Sequence, residues 1–225
     1  MSKLHKHCQQ WGSLMLLSAL LFTIGCQSTP RLGARVKAYR PLNVVTNEVA
    51  MDRVVQRVAV MPMVFTGPYQ ERLATKQMVE AALRRELVKR GAFEVVFLSD
   101  AQLGSLVGRS QWKQGDKLPE GFFESLSESA DCEAALFAAV SHYHPYPPQT
   151  IAWKMRLIDC RNQQTIWEID ELFDSGNVSV AAAADQHYSA YQSGGTRHLD
   201  ERSVLNSPRR FGEYTAAAVL NTLPY

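Results

Sequence analysis

Arg57-Val-Ala-Val-Met-Pro-Met-Val-Phe65 is an apolar, β-branched run without helical spacing, which marks a buried strand. Pro62 lacks an N–H, so it must sit where no ladder donor is needed, at a strand end or on an edge. Thr66-Gly67-Pro68 breaks the run. From about Tyr69 to Arg90, Leu73, Met78, Val79, Ala82, Leu83, Leu87 and Val88 recur mostly at three- and four-residue steps, with Glu71, Lys76, Glu80, Arg84 and Lys89 opposite them. That spacing predicts an amphipathic helix. Lys89 and Arg90 fall in its last turn, and Gly91 suits the position just beyond. Phe93-Glu-Val-Val-Phe-Leu98 is a second strand. Strand, helix and strand in this order predict a βαβ unit whose two strands run parallel.

Downstream, Ser99-Asp100 caps a short helix at Ala101–Val107, and Gly108 to Pro119 is a polar loop containing Trp112. A further helix is expected at about Glu120–Ala130, then a strand of small apolar residues from Cys132 to His144. Three prolines within Tyr143-His-Pro-Tyr-Pro-Pro148 turn the chain. Thr150 to Cys160 alternates, with Ile151, Trp153, Met155 and Leu157 on one face and Lys154 and Arg156 on the other. After a turn at Arg161–Gln164, Thr165–Phe173 is the next strand. The fold class is therefore α/β of the α+β kind: a mixed β-sheet with an N-terminal βαβ unit, a C-terminal antiparallel meander, and helices packed on the sheet. A loop centred near Pro147 puts Cys160 opposite Ala134, with Cys132 as its diagonal neighbour.

Residues 174–207 read as an irregular excursion from that domain. Within it Val178 to Tyr191 has helical composition, and Gly194-Gly195 would end such a helix. Tyr188 and Tyr191, with His187 and Gln192, make a candidate contact surface; a solvated excursion is the alternative. No stretch of about 10 residues there alternates as a membrane β-strand requires, which disfavours a channel. Ser207-Pro-Arg-Arg-Phe211 starts a helix with proline at its first position. Arg209 and Arg210 are candidates for contact with an anionic glycan or phospholipid, against the alternative of a solvated first turn.

Upstream, residues 27–53 hold the spaced basic residues Arg31, Arg35, Lys37 and Arg40, and few large apolar groups. They read as a flexible tether, although Leu42-Asn-Val-Val45 would suit a segment packed on the domain. The first 25 residues read as a secretory signal: Lys3 and Lys6 precede the 11-residue apolar run Leu14–Ile24. A membrane-spanning helix needs about 20 such residues. Thr23-Ile24-Gly25-Cys26 resembles the bacterial lipobox, with Thr23 where leucine is usual. Cys26 is thus the candidate lipidation site; ordinary cleavage after Gly25, leaving a free thiol, is the alternative. Gln27, where an inner-membrane retention signal would show Asp, points by resemblance to the outer membrane.

Removal of residues 1–25 leaves 22 basic and 22 acidic residues, since 24 Lys plus Arg lose two and 22 Asp plus Glu lose none. The mature chain is formally neutral, so nothing points to a nucleic-acid partner. Cys8 leaves with the signal, Cys26 takes the lipid, and Cys132 and Cys160 remain as an even pair. In an exported protein such a pair is a candidate disulfide, with two buried thiols as the alternative.

Arg57-Val-Ala-Val-Met-Pro, the helix ending Leu87-Val-Lys-Arg-Gly91 and Phe93-Glu-Val-Val-Phe resemble the opening of the group containing the curli-secretion protein CsgG and the penicillin-binding-protein activator LpoB. Leu157-Ile-Asp-Cys-Arg-Asn-Gln-Gln-Thr-Ile-Trp167 resembles that group's hairpin, Asp-x-x-Thr-Gly-x-x-x-Trp, with Asn162-Gln163 in place of Thr-Gly. Tyr214 to Pro224 is similar to its closing helix. The resemblance spans residues 57–173 and 208–224. It implies a TolB N-terminal-like domain without catalytic residues, a protein partner in the cell envelope and a periplasm-facing position.

Chemical motifs add little. The sequence has no Gly-rich phosphate loop, HExxH, CxxC or Gly-x-Ser-x-Gly, and neither a metal nor a cofactor is expected. His142-x-His144 has a metal-compatible spacing but adjoins the proline turn and lacks a third ligand nearby. The functional expectation is a membrane-anchored, non-enzymatic lipoprotein that binds a protein partner in envelope assembly or secretion. A cell-wall hydrolase and a glycan- or peptide-binding module are the alternatives. Oligomerisation is left open.

Overall fold

Alternation of apolar and polar residues puts one half of each strand's side chains on either face of a sheet, and the described residues build that sheet from seven strands. The computed structural model describes residues 39–47, 55–66, 73–112, 116–191 and 204–225, all within the unit Val36–Tyr225. The strands are β1 (Val44–Thr46), β2 (Arg57–Val60), β3 (Val64–Phe65), β4 (Glu94–Phe97), β5 (Ala134–His144), β6 (Thr150–Asp159) and β7 (Thr165–Asp174). The helices are α1 (Leu73–Arg90), α2 (Asp100–Val107), α3 (Phe122–Ala130), α4 (Val178–Tyr191) and α5 (Pro208–Leu220). The sheet order is β1-β7-β6-β5-β2-β4, with β3 pairing β5 beyond β2. β2 lies parallel to β4 and β5, while β5, β6 and β7 form the antiparallel meander. This is the mixed α+β sheet expected from the sequence.

The two faces are packed differently. On the first, Val58, Leu136, Trp153, Met155, Trp167 and Phe173 join Leu83 and Leu87 of α1, Val180 and Ala184 of α4, and Phe211 and Val219 of α5 in the main core. Trp153 Nε1 donates to Thr215 Oγ1 on α5 at 3.0 Å, and Trp167 Nε1 to Thr222 Oγ1 at 3.1 Å. Buried indole N–H groups need such partners. On the second face, α2 and α3 cover only the region around Ala59, Met61, Ala135 and Ile158, through Leu103, Phe122 and Leu126.

Local signals place the helices. Ser99 and Gln102 form a capping box at α2, and Gly108 ends that helix at φ 74°. Gly91 takes φ 60° after α1. Ser207 Oγ accepts from Arg210 N at 3.4 Å at the start of α5, with Pro208 in the first turn. In the β6–β7 turn Gln163 adopts φ 60°. This is the position where the resembled hairpin carries glycine, the one residue without a Cβ penalty there.

Five expectations are corrected. The run 57–65 is two strands, because Met61-Pro62-Met63 interrupts the ladder where Pro62 has no N–H to give. Leu73 and Val88 on α1 are solvent-exposed, since packing there uses the narrower stripe Val79, Ala82, Leu83 and Leu87. The tether does not extend through 39–47: Val44–Thr46 pair antiparallel with β7. Glu171 fixes this segment by accepting from Leu42 N (2.8 Å), Asn43 N (3.0 Å) and the Tyr39 hydroxyl. The hairpin register is one residue shorter than expected, with Asp159 opposite Ala134, a consequence of the bulge between Val140 and His142. Finally, residues 174–191 are not an irregular excursion, because α4 buries Val180, Ala183 and Ala184 against the core. Asn177 Oδ1 caps it, accepting from Ser179 N (2.9 Å) and Val180 N (3.3 Å).

Candidate functional site

Among the described residues no helix covers the second face of β7 and β1, or that of β6 beyond Ile158. The side chains there come from the strand positions that alternate with the core residues. Arg156 and Glu168, paired across β6 and β7, meet through two hydrogen bonds of 2.8 and 3.2 Å. Lys154 and Asp170, the next cross-strand pair on this face, approach to 2.6 Å. Each charge is balanced by its neighbour, and the four side chains remain a third or so exposed. Val45 and Leu172 share this face at 64% and 53% exposure, which makes its outer end apolar.

The face ends at a small pocket of ≈ 70 Å³ between the sheet and the loop after α2. Met61, Phe137, Met155, Trp112, Lys154 and Arg156 contribute to its walls. Trp112 is set by an edge-on contact with Phe122 and by the Arg109 guanidinium 4.7 Å over its ring. Arg109 is itself held by Asp116 at 2.7 Å. The Trp112 Nε1–H is buried and has no acceptor among the described residues. Ligand pockets for metabolites usually enclose about 300–1,000 Å³. This one has room for about one apolar side chain, with an indole donor left to satisfy.

The residues singled out from the sequence lie elsewhere, on the far side of the sheet between α4 and α5. Tyr188 is half-buried, and its hydroxyl bonds to Arg210 O (2.9 Å) and Glu213 Oε2 (2.8 Å). Burial, then the bond to Glu213, raise its pKa above the usual phenol range. Glu213 also accepts from Arg209 Nε (3.2 Å) and from Arg85 of α1. Burial works against its ionisation, but these three donors outweigh it and hold the carboxyl below the usual value. The structure therefore brings Tyr188, Arg209 and Arg210 together, as a clamp between helices more than as a free surface. Tyr191's side chain, Gln192 and Cys26 lie outside what is described.

Beside the clamp is an open cleft of ≈ 730 Å³ lined by Tyr39, Arg40, Gln186, His187, Tyr214 and Asn221 among others. His187 packs edge-on against Tyr188 and Tyr214, and burial lowers its basicity. The Tyr214 hydroxyl is buried without a partner among the described residues, and burial pushes its pKa up to about 12. His142 Nε2 lies 2.8 Å from Thr150 Oγ1, and His144 stacks edge-on with Tyr146. No described group of three or more His, Cys, Asp or Glu is arranged to hold a metal ion, and no described helix is long and apolar enough to cross a membrane. Cys132 and Cys160 are both buried free thiols.

Sequence reading missed the open face and the Tyr39–Glu171 anchor. Lys154 and Arg156 showed as the polar half of one strand, but alternation does not say whether a helix covers that half. Trp112 was visible as a lone large aromatic in a polar loop.

No family model matches the chain, and no curated protein matches it. Solved structures do. The chain is similar, over part of its length, to the lipoprotein GNA1162 of Neisseria meningitidis, with 18% identity, 61% of this chain and 99% of that one covered, and a TM-score of 0.38. The hypothetical protein CT253 of Chlamydia trachomatis matches at 16% identity, 72% and 94% coverage and a TM-score of 0.39. The C-terminal domain of LpoB from Escherichia coli matches at 14% identity, 54% and 84% coverage and a TM-score of 0.35. At these identities and scores the likeness carries no functional argument.

Proposed function

We propose that this chain is a non-enzymatic envelope lipoprotein, held to the outer membrane by lipid on Cys26, whose domain faces the periplasm and binds a protein partner in envelope assembly or secretion. The signal-like residues 1–25 and the lipobox-like Thr23–Cys26 support the anchor. The observation that carries the binding role is the helix-free sheet face with its small apolar pocket. An unpaired indole N–H beside one-side-chain space, flanked by neutralised charge pairs, suits a protein segment that inserts an apolar side chain and offers a backbone carbonyl.

Site-specific photo-crosslinking in intact envelopes tests this reading. A crosslinker at Leu172 should give one discrete adduct, and one at Val88, an exposed residue on α1, should give none. Loss of the Leu172 adduct on Trp112→Ala is also expected. Equal adducts from both positions, or none from Leu172, would overturn the assignment of this face. For the anchor, Cys26→Ser should release the chain to the soluble fraction or leave the uncleaved precursor; unchanged fractionation would count against it.

A glycan- or peptide-binding module is a second reading, favoured by one observation. The cleft beside α4 and α5 has a metabolite-sized volume and carries the unpaired Tyr214 hydroxyl. Soluble peptidoglycan fragments should then shift the amide signals around His187 and Tyr214, and an unmoved spectrum would remove this reading.

A further inference from the structure

Cys132 stands between the end of α3 and the start of β5, and Cys160 follows the last residue of β6. Asp131 takes a left-handed conformation, φ 48°, so the chain enters β5 through a sharp turn. Ala134 belongs to the first-face core, yet Cys132 joins the second-face cluster alongside Cys160. Strict alternation has been broken there, and both thiols end in one apolar pocket at 2% and 3% exposure.

The backbone sets their separation. Cys160 N donates to Glu133 O at 2.9 Å, which places residues 160 and 133 across the ladder, about 4.5–5.5 Å apart at Cα. Cys132 is the next residue, one step of about 3.8 Å along the chain. Its Cα therefore falls within reach of the roughly 4.4–6.8 Å span that a disulfide bridges, and both side chains belong to one buried cluster, with the Cys132 thiol donating to Leu126 O at 3.7 Å. Cys132 also lines an open polar cleft of ≈ 360 Å³ with Arg57, Ser127 and Arg161. That cleft is the route by which a small reagent would arrive.

We propose that Cys132 and Cys160 are a thiol pair that closes to an intramolecular disulfide by exchange with an external disulfide, Cys132 being the entry sulfur. The Cys132 thiol gives its proton to solvent, and the thiolate attacks the oxidant R–S–S–R. One S–S bond breaks, a mixed disulfide forms on Cys132 and the first R–S⁻ leaves as the thiol. Cys160 then attacks the Cys132 sulfur, its proton passing to the second R–S⁻. Two thiols and one external disulfide become one internal disulfide and two external thiols, with two electrons moved to the oxidant. The asymmetry agrees with this order. Cys132 lines the open cleft beside Arg57 and Cys160 does not; contact with Cys160 draws the Cys132 thiol below its usual range against burial, and contact with Cys132, then burial, push Cys160 up.

The oxidising compartment rests on the proposed envelope location, but the chemistry is testable without it. The purified full chain is exposed to oxidised glutathione, alkylated under denaturing conditions and mapped by unreduced peptide mass analysis. The wild type should lose both thiols together and yield a peptide linking Cys132 to Cys160. Cys160→Ser should accumulate a glutathione adduct on Cys132, and Cys132→Ser should show none on Cys160 at the same exposure. Alkylation of both Cys132 and Cys160 in the oxidised wild type would overturn the pair; an adduct on Cys160 in Cys132→Ser would overturn the entry order. Circular dichroism checks that the variants fold, and the wild-type linkage result stands without them. Linkage in the purified chain with free thiols in envelope-extracted protein would keep the pair and sink the compartment.

Discussion

The two faces of the β5–β7 meander use alternate residues of the same strands and have opposite fates. Trp153 and Met155 are buried under α5 and the main core, while their neighbours Lys154 and Arg156 stay partly exposed in cross-strand ion pairs. The strand backbone is the same for both sets. What differs is the layer above it: α1, α4 and α5 complete one face, whereas α2 and α3 stop short on the other. Stability should therefore be concentrated on the first face, and recognition on the second.

Mutations can break or sharpen that contrast. Trp153→Ala empties a fully buried site and should cost about 3–5 kcal/mol in denaturant unfolding; a loss below about 1 kcal/mol would place the core elsewhere. Thr215→Val keeps the shape of α5 but leaves the Trp153 N–H unpaired, for a loss of about 1–3 kcal/mol, again read by equilibrium unfolding.

Acid should weaken the covered face selectively. Burial lowers His187 from the usual 6.5, so the unfolded chain takes the proton first. Its contribution is complete above about pH 6.5 and declines as pH falls below that value. Glu213 is also lowered, from 4.5, so its share persists above that value and declines at more acidic pH. Between pH 7.5 and 5.5 the wild type should lose more thermal stability than His187→Gln. Equal slopes would show that the α4–α5 layer does not sense this proton.

The smallest effect on stability belongs to the open face. Arg156→Ala removes a partly exposed ion pair and should change unfolding free energy by about 0–1 kcal/mol. The same substitution should still diminish the Leu172 crosslink. A large stability loss without any change in crosslinking would reverse the roles assigned to the two faces.

Much of this was legible in the sequence because it depends on short periods. The three-to-four-residue steps of α1, the alternation of Thr150–Cys160, the Ser99 cap and the Ser207-Pro208 start all report local geometry. Elements held by distant partners were less legible. Residues 39–47 looked like tether because their ordering comes from Glu171, more than 120 residues away. The span of helix α4 was legible from its composition, but not its burial, because its alanines carry little contrast between faces and only contact with the core distinguishes Ala183 and Ala184 from their neighbours. The hairpin register missed by one residue because a bulge is a choice between near-equal pairings, settled by the packing of both faces.

By itself, then, the sequence determined the element types, the parallel and antiparallel halves and the two-sided strand pattern, since backbone sterics and side-chain period act within a few residues. Tertiary structure alone decided which strand face stays uncovered and where Trp112 leaves an unpaired donor. Those outcomes depend on where layers end and on contacts between segments far apart in the chain, for which no local pattern exists.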